Sequence, residues 1–289
     1  MITRFDHAVI AVRDLEAATQ QYQKLGFEVR PGGKHTGRGT YNSIIRFGLD
    51  YIELISIYDR DELSARELSG TTLAEYLDKH EGGLVGYALA AQGIEQEAER
   101  FRQTGLEAQG PFAMQRMRPD GRELSWRLLV PGGTAWRRPW PFLIQWDAPD
   151  EQRLTWEQPG THPNGASGVA GVRVLVRDLD AGLALYQRQL GMAPAERDEA
   201  PGLGAHRATF QVGNLSIQLL APAGKGMAQQ GLDAQGEGLF ELLLKTKDMN
   251  QTLTTLAQRG VGVEMGPVGT LTALIQPEQA LGARIALRA

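Results

Sequence analysis

The 289-residue chain contains no cysteine. Disulfides, thiolate nucleophiles and cysteine-held zinc or iron–sulfur centres are excluded, and any metal ion must be held by His, Asp, Glu, amide or water. No apolar run approaches the ~18 residues that span a bilayer. The opening MITRFDHAVI lacks the basic, apolar and small-residue order of a secretion signal. A cytoplasmic protein with no membrane partner is the simplest expectation. There is no excess of positive charge either, since 30 Lys and Arg are interspersed with 34 Asp and Glu for a formal net charge of -4. Neutralising a phosphate backbone needs a basic stripe, so nucleic acid is not an expected partner. The glycine-rich run PGGKHTGRGTYN, 31–42, is no phosphate loop. That motif needs Lys-Ser/Thr after the last glycine and a helix behind it, and here a strand follows. The run is expected to be a mobile loop between strands or a lid over a pocket.

What the chain does contain is repetition. VIAVRDLEAATQQYQKLGF, near the start, is echoed by VRVLVRDLDAGLALYQRQLGM after residue 171. Val12-Arg13-Asp14-Leu15 matches Val176-Arg177-Asp178-Leu179, Tyr22-Gln23 matches Tyr186-Gln187, and after one inserted residue Leu25-Gly26 matches Leu190-Gly191. Each copy predicts an alternating strand, an Asp that caps a helix, and a glycine that stops it. RFGLDYIELIS (46–56) and QVGNLSIQLLA (211–221) then each predict two strands around a turn. Weaker copies begin at VGYALAAQGIEQEAERFRQTGL (85–106) and FELLLKTKDMNQTLTTLAQRGV (240–261), followed by candidate strands at ELSWRLLV, PFLIQW, TLTALI and ARIAL. The stretch APDEQRLTWEQPGTHPNGAS, 148–167, is rich in turn formers and without periodicity, and predicts an interdomain linker.

Strand alternation selects faces. With Ala8, Ile10 and Val12 packed under the helix, His7, Val9 and Ala11 turn the other way. In DYIELIS the apolar row Ile52 and Leu54 leaves Tyr51, Glu53 and Ile55 on the face of His7. A lone acid in so apolar a strand needs a partner or a metal, so Glu53 pairs naturally with His7. Asn42, Ile44 and Arg46 turn inward from TYNSIIRFG, and Arg127 and Gln145 are assigned inward from LSWRLL and FLIQWD. His7 and Glu53 are then either metal ligands or a buried His–carboxylate pair, and Glu53 is also the candidate general base. His35, by its loop position, joins Asn42, Arg46, Tyr51, Arg127 and Gln145 as candidate substrate contacts. Trp136, Trp140 and Trp146 flank the last strand of the first half, as core residues or as walls of an aromatic pocket. QRMRPDGRELSWR, 115–127, predicts a solvated hairpin.

Paired βαβββ modules carrying RFDHAVIAVRDLEAA, LGFEVRPGGKHTGRGTYN, DYIELIS and PFLIQWD resemble the vicinal oxygen chelate superfamily, and within it the bacterial glyoxalase-like domain proteins. The resemblance implies an α+β fold in which four modules pair into two glyoxalase/bleomycin-resistance/dioxygenase-like domains. The N-terminal domain, 1–147, comprises modules 1–58 and 82–147. A linker of 148–167 leads to the C-terminal domain, 168–289, built from modules 168–222 and 238–289. Members that use a metal draw ligands from the first and fourth strands of both modules. His7 and Glu53 match those places in the first module, and Gly86 and Gln145 are aligned with them in the second. Gly86 cannot ligate, so at most three protein ligands remain. The C-terminal domain has Gly171, Gln218, Glu241 and Arg284 or a neighbour at the corresponding places. The implied function is a metal-dependent enzyme, of lyase, isomerase or dioxygenase type, acting on a small carbonyl-bearing or oxygenated compound. Its divalent ion is Mn, Fe, Ni, Co or Zn. The rival is a metal-free small-molecule binding or sequestration protein. The second domain is read as a structural unit that could pair the chain into a homodimer.

Overall fold

The computed structural model describes residues 1–64, 72–132, 136–266 and 272–289. Strand β1 (Ile2–Val12) passes into helix α1 (Leu15–Lys24) at Asp14, whose carboxylate accepts from the backbone N–H groups of Glu16 and Ala17. Strands β2 (Arg30–His35), β3 (Thr40–Arg46) and β4 (Tyr51–Ile57) complete the first module. Short helices α2 (Arg60–Ser64) and α3 (Leu73–Lys79) follow. The second module is β5 (Gly82–Ala91), α4 (Ile94–Gln103), β6 (Ala108–Met117), β7 (Glu123–Pro131) and β8 (Phe142–Trp146). After helix α5 (Asp150–Trp156) comes the third, β9 (Ala166–Leu175), α6 (Leu179–Ala184), β10 (Glu196–Ala200), β11 (Ala205–Val212) and β12 (Leu215–Pro222). Helix α7 (Met227–Gln235) leads to the fourth, β13 (Gly238–Thr246), α8 (Met249–Gln258), β14 (Val263–Met265), β15 (Thr272–Ile275) and β16 (Ile285–Arg288). The α+β fold of four βαβββ modules is as the repeats require. Of the TLTALI candidate strand, the first two residues lie outside the described residues. Among the described residues no helix is long and apolar enough to cross a membrane.

The inserted residue in the third module has a visible structural effect. After α6 the backbone widens into a π turn over Leu185–Gln189, where Leu190 N–H bonds Leu185 C=O at 2.9 Å. The extra residue is absorbed within the helix, and Tyr186 remains fully buried like its counterpart Tyr22.

The first two modules form one closed barrel, in the order β1-β4-β3-β2-β6-β7-β8-β5. Strands β1 and β5 meet antiparallel at the centre. The far edges β2 and β6 join through the pairs Lys34–Met117 and His35–Arg116, with one further bond from Thr36 N–H to Gln115 C=O at 3.0 Å. The last two modules form an open eight-stranded sheet, in which β10 and β14 are the outermost of the described strands. Alternation divides the apolar residues of the barrel as expected. Ala8, Ile10, Val12, Ile52 and Leu54 pack in the core under the helices, whereas Val9, Ala11 and Ile55 belong to a second cluster inside the barrel.

The segment 148–167 departs from the expected linker. It carries α5, and Arg153, Glu157, His162 and Asn164 within it are all buried. A periodicity search misses it because what it inserts is charge and amide rather than an apolar stripe. Asn164 donates from Nδ2 to Leu25 C=O at 3.0 Å and accepts from Ala166 N–H at 3.0 Å, closing the carbonyl end of α1. Gly26, at φ 84°, leaves room for this approach, since a Cβ there would lie 2.9 Å from Asn164 Cβ. Asn164→Ala is expected to cost about 1–3 kcal/mol, because it strips partners from buried backbone groups. Urea unfolding measures this, and an unchanged midpoint would show that the segment does not pin α1.

Candidate functional site

The barrel interior holds a cavity of about 180 Å³ with an aromatic wall and one polar pole. Trp126, Phe142 and Trp146 supply the wall from β7 and β8, and His7, His35, Asn42 and Glu53 form the pole. Sheet register explains the convergence. His7 on β1 lies opposite Tyr51 on β4, and Arg46 on β3 lies opposite the same Tyr51. The three side chains stack, with His7 and Tyr51 ring centroids 4.6 Å apart and the Arg46 guanidinium 4.5 Å from the other side of the tyrosine system. Glu53 stands two residues along β4, on the same face.

His7 is held by a residue that alternation hides. Phe5 pairs with Leu89 and His7 with Ala88, so Asp6 is the extra residue of a β-bulge. The bulge brings Asp6 Oδ1 to 2.8 Å from His7 Nδ1, which leaves Nε2 facing the pole. Asp6 is fully buried and also accepts from Arg4 Nη1 at 2.8 Å and Trp146 Nε1 at 3.0 Å. Burial works to raise its carboxyl pKa. The hydrogen bond from His7 and the charges of Arg153 and Arg4 outweigh burial and hold it well below the usual carboxylate range.

Glu53 sits between two imidazoles. Its Oε2 is 3.5 Å from His7 Nε2, its Oε1 is 3.5 Å from His35 Nε2, and Asn42 Nδ2 donates to Oε1 at 2.6 Å. The same Nδ2 lies 3.2 Å from His35 Nε2, which must therefore accept. The His35 proton is then on Nδ1, 2.8 Å from the Thr40 hydroxyl that accepts it. Burial is the largest influence on this ring and lowers its pKa to about 4, with Arg116 and Arg38 acting in the same direction against Glu53. His35 is thus a neutral acceptor at pH 7.

The closed end of the barrel is a charge network. Glu157 Oε1 meets Arg116 Nη2 at 2.8 Å and Arg46 Nη2 at 2.9 Å, the latter out of line for a hydrogen bond, and Glu157 Oε2 meets Arg153 Nη2 at 3.2 Å. Burial works to raise the Glu157 carboxyl, but the arginine charges prevail and lower it. Arg153, fully buried, lies over the Trp146 ring at 3.7 Å.

Of the residues singled out from sequence, His7, His35, Asn42, Tyr51 and Glu53 line the cavity, and Arg46 stacks behind Tyr51. Arg127 and Gln145 do not. Arg127 ion-pairs with Glu95, and Gln145 accepts from Ile94 N–H at 2.9 Å, both on the helix side. In β7 and β8 the inward rows are Trp126, Leu128, Val130 and Phe142, Ile144, Trp146. The register keeps Gly86 as the second-module counterpart of His7, since the Asp6 bulge of β1 is mirrored by one at Val85 of β5, but it makes Phe142, not Gln145, the counterpart of Glu53. The inward arginine of the 115–127 tract is Arg116, buried in β6 in the row of Phe112 and Met114. His35 lies in strand β2 rather than on a loop, and 31–42 builds barrel wall on either side of a short turn instead of a lid. Trp136 and Trp146 line the cavity, whereas Trp140 packs outside it, donating to Pro131 C=O at 2.7 Å.

A divalent ion does not fit this donor set. Among the described residues no three His, Asp or Glu side chains are placed to hold one. The two imidazoles face different oxygens of Glu53, the Asn42 amide N–H occupies the side toward His35, and Gly86 and Phe142 offer no ligand. Only His7 Nε2 and Glu53 Oε2 remain, fewer than the three protein ligands of an open catalytic zinc site. In the second sheet Gln218 and Glu241 are buried and joined through Arg173, which donates to Gln218 Oε1 at 3.0 Å and ion-pairs with Glu241. Arg284 adds a 3.3 Å contact to Glu241, so the Glu241 carboxylate is met by two arginines.

The model of the family described as a glyoxalase-like domain matches residues 5–177 and 172–272. No curated protein matches the chain. A hypothetical protein from Staphylococcus aureus superposes with a TM-score of 0.68 at 16% identity, over 98% of each chain. A 4-hydroxymandelate synthase variant from Streptomyces coelicolor gives 0.67 at 14% identity, over 99% of this chain and 92% of the other. These likenesses show the fold and assign no reaction.

The His35 environment makes stability pH-dependent. Its folded-state pKa of about 4 lies below the ordinary 6.5, so its contribution is complete above pH 6.5 and is lost as the pH falls toward 4. Urea unfolding from about pH 7 down to about pH 4.5 is expected to show wild-type stability declining, and His35→Gln declining less steeply. His162, also lowered by burial, is common to both proteins. Parallel slopes would remove His35 from this role.

Proposed function

The chain belongs to the glyoxalase-like domain family, and from the geometry of its first barrel we propose that it binds a small, largely apolar oxygenated compound there without a metal ion. The observation that carries this reading is the cavity itself, aromatic and aliphatic on its walls and polar only where His7, His35, Asn42 and Glu53 meet. A compound with one carbonyl or hydroxyl function satisfies both regions at once, its body against Trp126, Phe142 and Trp146 and its oxygen at the pole.

The pole supports one chemical step. Glu53 Oε1 is engaged by Asn42, while Oε2 stands 3.5 Å from His7 Nε2, too long for a good hydrogen bond. Oε2 is therefore the oxygen able to accept a proton from a bound compound, either from a hydroxyl or from carbon next to a carbonyl. Asp6 fixes the His7 ring beside it, so the imidazole can exchange that proton without reorienting. Held in this way, Glu53 acts as the base and His7 as its neighbour in proton transfer.

Two measurements test this. Protein stripped with a chelator is expected to be thermally stabilised by aromatic carbonyl or phenolic compounds as strongly as protein supplied with Mn, Fe, Co, Ni or Zn. Stabilisation that requires one of those ions would overturn the metal-free reading. Glu53→Gln keeps the acceptor for Asn42, so binding is expected to persist while deuterium exchange next to the carbonyl of a bound ketone slows by about 100-fold or more. Unchanged exchange would remove Glu53 as the base.

A further inference from the structure

We propose that the compound held in the first barrel is an amphipathic anion, an aromatic or branched apolar body bearing a carboxylate, and that the carboxylate docks beside His35 between Arg38 and Arg116. This rests on the preceding reading of the cavity as a ligand site and names its substrate class. Arg116 and His35 are direct partners across the β2–β6 seam, and Arg38 lies in the turn just beyond His35. Both guanidiniums line the cavity, and both are close enough to the His35 ring to oppose its protonation. A neutral imidazole flanked by two cations is a place where a negative group is favoured.

Two further details favour an anion over a neutral group. Arg116 is buried to 2% exposure and its Nε has no hydrogen-bond partner, so a donor stands unmet in a side chain that forms part of the cavity wall. Arg46 and Arg116 also share the single oxygen Glu157 Oε1, so two buried cations meet one carboxylate there. Glu53, the one carboxylate among the described lining residues, has its nearer oxygen occupied by Asn42. The apolar body has its wall adjacent, since Arg38 lies over the Phe112 ring at 5.9 Å and His35 meets Trp126 edge-on at 6.0 Å. Charge and aromatic surface therefore adjoin across the width of one small molecule.

The test compares each acid with its uncharged twin. Phenylacetate, cinnamate and indole-3-acetate are titrated calorimetrically into the full chain, each beside its primary amide, at constant ionic strength. At least one acid is expected to bind about tenfold or more tighter than its amide. Arg38→Gln, a half-buried position where refolding is not at stake, is expected to reduce that advantage. Amides that bind as tightly as the acids overturn the anion proposal and leave the cavity reading standing. An acid advantage undiminished in Arg38→Gln overturns the docking place. Binding by neither class overturns both this proposal and the reading beneath it.

Discussion

The site depends on one buried carboxylate. Asp6 is removed from water completely, a costly position for an anion unless every oxygen is met. It is met from three directions: by His7 on its own strand, by Trp146 on β8, and by Arg4, with Arg153 of α5 3.8 Å away. That arrangement joins the first module, the second module and the segment after them. Each neighbour gains a fixed orientation in return, the His7 ring above all. A barrel of apolar strands could close without Asp6, but its imidazole would then be free to turn, and Glu53 would have no settled neighbour.

The same segment gives the barrel its polarity. Because Arg153 and Glu157 arrive from outside the repeat, one end is closed by side chains that neither module encodes. The second sheet is open, with β10 and β14 outermost among the described strands. Its buried Gln218 and Glu241 are engaged by the half-buried Arg173 and Arg284. Two copies of one plan have thus taken different courses, one enclosing space and the other filling it.

Much of the fold was legible because the repeats carry their own punctuation: capping Asp14 and Asp178, and stopping Gly26 and Gly191. The faces of β1, β3 and β4 were legible too, since polar residues fall on one row of each, His7 on β1, Asn42 and Arg46 on β3 and Glu53 on β4, against Ala8, Ile10, Val12, Ile45, Ile52 and Leu54 on the other. In β8 the rows are Phe142, Ile144, Trp146 and Leu143, Gln145, and with apolar residues on both faces the lone glutamine misdirects the choice. Arg127 was misplaced for the same reason, beside the row Trp126, Leu128 and Val130. Asp6 was hidden because a bulge breaks the period of two that alternation assumes. Arg153 was hidden because a buried cation leaves no apolar signature, and its partners lie far away in sequence.

The β2–β6 seam, with two residue pairs, is the shortest junction in the barrel, and both residues of one pair, His35 and Arg116, line the cavity. The other strands around the cavity are tied by longer ladders. The girth of the barrel is therefore least constrained where its cavity-facing charge is concentrated. Any widening of the cavity would meet least resistance from these two strands, so its size and its charge are set at the same line of backbone hydrogen bonds.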